Sequence, residues 1–340
     1  MKEIDWQAFD TSVIEEEPAE KQQYYWVGYY YFLAKASLEM AGEKGDAVMR
    51  EGIRAYGRER GQRMRRIANA KGYPADLCTL FEHYDLMSDP RFVHPPENYL
   101  LTPEVKRSIT GRCPDAEMWG LMPDGMHIGS IYCEEVHHQI YEGFDPAIQV
   151  NLAETLTTGC PHCRFVLYCR KANQKEYPLP EYVPQIWDDF EDDMVASIHS
   201  MSCLLYLKMS KAVAEGVGLK VVREAIEQFC YFRGYRMRLL HERKGLPISI
   251  KSFLEEGDLF LDHRFGLKIT DREDGSYEVT TDRNILAEVA KTYECEELQK
   301  LYDEISYEWL LKGYGDDFSV CSIAEDNPEK IHLIFSLKQG

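Results

Sequence analysis

The sequence lacks any apolar run approaching the ~20 residues a bilayer-spanning helix needs; its hydrophobic stretches are all broken early by charged residues. No membrane is therefore expected as a partner. It is also short of positive charge. With 39 Lys and Arg against 58 Asp and Glu, the net charge is −19, which argues against nucleic acid and anionic lipid surfaces, since both select basic faces. The N-terminal stretch is acidic and has no apolar core region of the secretory type. The expected compartment is the cytoplasm, and the expected state of the ten cysteines is the free thiol. There is no Gly-rich phosphate loop, no H-E-x-x-H and no G-x-S-x-G, which removes three common routes to phosphoryl, metalloprotease and serine-hydrolase chemistry. A single C-x-x-C occurs, Cys160-Pro161-His162-Cys163, without the second close pair of a zinc knuckle.

What is present is a repeat. Residues 51–92 align without a gap on residues 224–265, and more than a third of the positions are identical. Unrelated segments would match at roughly two or three positions, so an internal duplication is the expectation. Both copies keep Arg60-Gly61, Arg63-Met64-Arg65, Glu82, Asp85, Asp89 and Arg91-Phe92, as Arg233-Gly234, Arg236-Met237-Arg238, Glu255, Asp258, Asp262 and Arg264-Phe265. Residues kept by both copies are expected to serve the fold. The arginines are accordingly read as ion-pair partners of the shared acids rather than as an anion clamp. The glycines are read as points of close helix approach. The aromatic run Tyr24–Phe32 covers too much of a helix circumference for one face and is expected to pack between the copies.

The expected fold class is α+β: two tandem repeats of a helices-then-antiparallel-sheet unit, related by a pseudo-two-fold. The expected domains are an acidic lead-in at 1–21, a first unit at 22–170, a Pro-rich linker at 171–193 and a second, degenerate unit at 194–340. Helices are expected near 22–40, 46–71, 76–88 and 130–142, with strands near 99–112, 147–156 and 163–169. The second copy repeats that order, with helices near 194–213, 219–244 and 295–312. Its strands are expected near 265–270, 277–282, 317–323 and 331–337.

Residues kept by one copy alone are the better candidates for function. Carried onward, the alignment sets Cys113 against Asn284, Cys133 against Asp303, His137 against Tyr307, Cys160 against Glu329 and Cys163 against His332. The second copy has replaced every thiol of the set. Cys133 and His137, four apart on a helix, share one face. Cys113, Cys133, His137 and Cys163 are thus the candidate catalytic residues, with a thiolate attacking an electrophilic carbon while histidine moves the proton. The same four are an alternative ligand set for zinc or another divalent metal; no cofactor is certain. Cys169, Cys203, Cys230 and Cys78 read as small buried hydrophobes.

At Arg112-Cys113-Pro114, Tyr132-Cys133 and Thr155-Leu156-Thr157-Thr158-Gly159-Cys160-Pro161-His162-Cys163-Arg164-Phe165 the chain resembles the L-2-amino-thiazoline-4-carboxylate hydrolase family. The hairpin is also similar to 4-vinyl reductase type small-molecule-binding domains, through Glu154-Thr155 and Cys163-Arg164-Phe165. The first resemblance implies a hydrolase that opens a small cyclic amidine or thioimidate acid. Cys133 or Cys163 would supply the thiolate and His137 the proton transfer, with Asn151, Glu154 and Tyr132 holding the substrate. The second implies a non-catalytic ligand- or metal-binding sensor module. The expected partner is a small molecule, with an oligomer allowed.

Overall fold

The computed structural model describes residues 4–14, 17–85, 92, 94–185, 188, 193–257, 265–323 and 330–338. The described residues form a mixed helix and sheet chain with two four-stranded antiparallel sheets, each following helices. It divides into a continuous central unit, Ser37–Ile198, and a discontinuous unit made of Met1–Ala36 with His199–Gly340. The division differs from the expected boundary at residue 22, because the N-terminal helix α1 (Pro18–Ala41) belongs with the discontinuous unit as far as Ala36.

In the central unit, α2 (Glu43–Lys71) carries a buried stripe of Met49, Ile53, Tyr56, Arg60 and Met64 at helical spacing, and Gly72 ends it in the left-handed conformation at φ 71°. The short α3 (Leu77–Glu82) is capped by Asp76, whose carboxylate accepts from the Thr79 amide at 2.9 Å. The sheet runs in the order β1 (Leu100–Leu101), β2 (Val105–Thr110), β4 (Cys163–Tyr168), β3 (Gln149–Glu154). Between β2 and β3 lie α4 (Pro114–Gly120) and α5 (Gly125–Phe144). Helix α5 packs along α2 at very close range. A Cβ on Gly61 would fall 2.0 Å from the Ile140 carbonyl oxygen, and one on Gly143 would fall 2.6 Å from that of Arg58.

The discontinuous unit has the same order. Helices α6 (Met194–Gly216), which enters it at His199, α7 (Leu219–Lys244) and α8 (Ile250–Glu256) precede β5 (Lys268–Asp271) and β6 (Tyr277–Thr281). Then come α9 (Ile285–Thr292), α10 (Glu296–Tyr314), β7 (Phe318–Ser322) and β8 (Ile331–Leu337), in a sheet of order β5-β6-β8-β7. The crossing of α7 and α10 repeats that of α2 and α5. A Cβ on Gly234 would fall 1.9 Å from the Leu310 oxygen, and one on Gly313 would fall 2.0 Å from the Tyr231 oxygen. The reading of the shared glycines as close-approach points holds in both units. The aromatic face of α1 lies on α7: Tyr25 and Tyr29 meet Phe229 edge-on, and Phe32 meets Phe232 at 5.8 Å.

Two helices escaped the sequence reading. No helix was expected between the strand region at 99–112 and the helix at 130–142, yet Pro114 opens α4 at the first helical position. Asn284 likewise caps α9, its side-chain oxygen accepting from the Ala287 amide at 3.2 Å. Helix α5 also begins at Gly125, earlier than the expected 130. The segment expected as a linker is tied to the central unit. Tyr177 donates to the Gly143 carbonyl at 3.2 Å, and Asp188 receives Arg63 at 2.6 Å. Arg60 forks onto Asp85 at 2.8 and 2.7 Å with both groups buried, which is the expected structural pair. Asp89, Arg91, Asp258, Asp262, Arg264 and Glu329 lie outside the described residues.

Candidate active site

The inner face of the central sheet is set by strand alternation. On β2, Lys106, Ser108 and Thr110 are buried while Arg107 is exposed; on β4, Cys163, Phe165 and Leu167 are buried while Arg164 is exposed. These are direct neighbours, Lys106 opposite Leu167, Ser108 opposite Phe165 and Thr110 opposite Cys163. The row is thus polar along β2 and mixed along β4.

Three of the expected thiols, Cys113, Cys133 and Cys163, lie near one another at one end of this face. The turn Leu156–Thr158 brings the Leu156 amide to the Cys163 sulfur at 3.3 Å. It also places Thr157 beside the Cys133 thiol of α5. Cys133 and Cys163 both act electrostatically on Cys113. Cys113 sits at the N-cap of α4 without a side-chain capping hydrogen bond, at the position where Asn284 caps α9 with its side chain. Burial raises all three thiols: Cys133 is pushed up to about 12, and Cys113 and Cys163 move in the same direction. They rest as neutral S–H groups.

His137 lies one turn beyond Cys133, edge-on to Phe165 at 5.0 Å. Burial, helped by the positive charges of Arg60 and Lys106, pulls it down to about 3, so the imidazole is neutral. Its Nδ1 is buried and has no hydrogen-bond partner. Cys133 and His137 are largely surrounded by other groups and keep some accessible surface. Tyr132 is buried, its ring 5.6 Å from Trp119.

The other proposed substrate contacts lie elsewhere. Asn151 is exposed opposite Val166, and Glu154 pairs with Arg164 at 3.2 Å and lies 2.8 Å from the His162 ring. Directly opposed residues share a face, so Asn151 and Glu154 occupy the side of the sheet away from Cys163 and Phe165. The metal reading is also corrected. Among the described residues, no group of three or more His, Cys, Asp and Glu side chains is gathered as a metal site requires. Likewise the β8 residue opposite Thr281, which corresponds to Cys163 opposite Thr110, is Ile331; the alignment had placed His332 there.

Sequence reasoning missed Lys106. Its ammonium lies 4.2 Å from the centre of the Phe81 ring and 5.2 Å from that of Phe165, and donates to the Ser108 hydroxyl at 2.8 Å. Burial lowers it to about 8. The signal was available, since Lys106, Ser108 and Thr110 alternate on one face of a strand. In the other unit Tyr277 and Val279 take the first two of these places. The one-copy-only test had been applied to thiols and histidines alone.

Residues 21–167 match the model of the L-2-amino-thiazoline-4-carboxylic acid hydrolase family. The match runs from α1 to β4 and contains Cys113, Cys133, His137, Cys163 and Lys106. No curated protein and no solved structure matches the chain. Among the described residues no helix is long and apolar enough to cross a membrane.

Proposed function

We propose that the central unit, like the thiazoline carboxylate hydrolase family it matches, opens a small cyclic amidine or thioimidate acid. What supports this reading is the proximity of Cys113, Cys133 and Cys163 near the turn that carries Thr157. An amino-thiazoline carboxylate offers an electrophilic ring carbon between nitrogen and sulfur. In the proposed sequence, the Cys133 sulfur bonds to that carbon and its proton passes to His137. The ring carbon–sulfur bond then breaks, and the departing sulfur takes the proton to become a thiol. Water adds to the enzyme-bound carbon and releases Cys133 as S–H, leaving a carbamoylated amine. One water is consumed and no oxidant is required.

The raised thiol and lowered imidazole belong to the resting site. Each charged form is disfavoured alone, but thiolate and imidazolium formed together offset each other, so proton transfer is coupled to attack. Lys106, at the other end of the inner face, supplies the positive charge that a substrate carboxylate needs. Asn151 and Glu154 face away and are assigned no contact in this reading. The matching element order, strand order and glycine crossings of the two units support the reading of the chain as a duplication in which one copy kept the thiols.

The test is ring opening of 2-amino-thiazoline-4-carboxylate, followed by the new thiol. Cys133→Ser should lower the rate at least about 100-fold, the order expected for loss of a covalent nucleophile, with thermal unfolding unchanged. A full rate in that variant would sink the assignment. One observation favours a second reading, a non-catalytic ligand-binding module: all three thiols rest protonated. That reading predicts saturable binding of the thiazoline acid without turnover.

A further inference from the structure

The discontinuous unit, read from the sequence as the degenerate copy, contains a half-open cavity of about 110 Å³. Its walls are largely aromatic, with Tyr25 of α1, Tyr206 of α6, Phe229 of α7 and Tyr302 and Tyr307 of α10. Two polar groups on α10, Asp303 and Ser306, project into it one turn apart. The Asp303 carboxylate accepts from the Gln299 side-chain amide and, at 3.5 Å, from that of Asn284. Both donors are neutral. The Ser306 hydroxyl is 3% exposed and has no hydrogen-bond partner. A buried carboxylate held by neutral donors, beside an unsatisfied hydroxyl in an aromatic box, is an incomplete polar site.

We propose that this cavity is a second ligand site, distinct from the thiol site of the central unit, and that it takes a small organic cation with N–H donors. The cation's N–H groups would meet Asp303 and Ser306, and its faces would lie against aromatic rings, which attract positive charge. The size fits a molecule of a few heavy atoms, since an apolar cavity of about 150 Å³ holds a benzene ring.

The other ionisable groups facing the cavity are otherwise engaged or neutral. Arg233 of α7 stacks on Tyr25 at 3.7 Å and donates to the Tyr302 hydroxyl at 3.2 Å. Arg283, which precedes α9, forks onto Glu288 at 3.1 and 3.2 Å. On α6, His199 is drawn down to about 4 by burial and by Arg233, and the Cys203 thiol, 3.9 Å from it, is raised by burial. Burial likewise raises the phenols of Tyr29, Tyr206, Tyr302 and Tyr307. Asp303 itself is raised to about 6 by burial, so it carries the negative charge at neutral pH.

The test is calorimetric titration of the full chain with three molecules of one shape, acetamidinium, acetamide and acetate. Acetamidinium should bind at one per chain at pH 7, with the neutral and anionic analogues at least tenfold weaker. Its affinity should fall about tenfold from pH 7 to pH 5 as Asp303 takes up its proton. Asp303→Asn should reduce it at least tenfold. Ser306→Ala removes only a hydroxyl, so it guards against misfolding, and should weaken binding severalfold. Cys133→Ser should leave it unchanged, which separates this site from the one in the central unit. Acetamide binding as tightly as acetamidinium, unchanged binding in Asp303→Asn, or no saturable binding of acetamidinium would each overturn the proposal.

Discussion

Lys106→Met should make the protein more stable and less active. Methionine keeps the unbranched stem of lysine and removes the charge. Burial lowers the Lys106 ammonium from 10.5 to about 8. At about 1.4 kcal/mol per pK unit, holding that charge in the folded state costs about 3 kcal/mol at neutral pH. Against this stand the hydrogen bond to Ser108 at 2.8 Å, about 1 kcal/mol, and the ring contacts with Phe81 and Phe165, together about 1 kcal/mol. The variant should therefore gain about 1 kcal/mol at pH 7. The pH dependence gives a sharper check. Because the folded-state pKa lies below the unfolded one, the folded protein binds fewer protons between about pH 8 and 10.5, and its stability rises with pH across that window. The variant lacks this gain, so the difference between the two proteins should shrink and reverse from pH 7 to pH 10.5. Urea unfolding of both proteins at several pH values measures it. A variant that is less stable at pH 7, with the same slope as the parent from pH 8 to 10.5, would refute the reasoning.

Four further outcomes are expected. Asp85→Asn strands the buried Arg60 guanidinium and should destabilise the protein by about 3–5 kcal/mol, read as a fall in the urea midpoint. Gly61→Ala and Gly234→Ala should each lower the melting temperature by a similar amount, because the added methyl meets a backbone oxygen at about the same distance in both units. His137 and His199 are buried neutral, at about 3 and about 4, so stability should fall as pH drops below about 6.5, and replacing either with Gln should flatten that fall. Ring opening by the central unit should show no rate limb near pH 6.5 attributable to His137 in the free protein, which a pH–rate profile of kcat/KM tests.

Elements with a strong period and a clear stop were legible in the sequence. The long helices ending at Gly72 and Gly245, and the strands flanking Asp274-Gly275, are where periodicity and turn residues place them. The short helices α4 and α9 were not, because each carries only two turns and follows a strand directly. Their signals were a single Pro and a single Asn. In the site, the local positions of Cys113, Cys133 and Cys163 were legible, since each follows a strand or rides a helix next to a turn. The face of β3 was not: Asn151 and Glu154 looked close in sequence to the hairpin thiols, but register sends them to the other side. Lys106 and Asp303 were hidden for another reason. A lysine or an aspartate is presumed solvated, and only packing shows that these are buried.

The split composition of the discontinuous unit bears on how the chain is made. Tyr25, Tyr29 and Phe32 emerge early, yet Phe229 and Phe232, their partners, follow about 200 residues later. At ~5–20 residues per second, that interval is roughly 10–40 s. The central unit, continuous in sequence, is complete before then. During that time the aromatic helix has no native surface to lie on. It is the segment of the nascent chain most exposed to wrong association and the natural station for a chaperone. A protein split after Ala36 and supplied in two pieces would make that delay measurable as a second-order docking step.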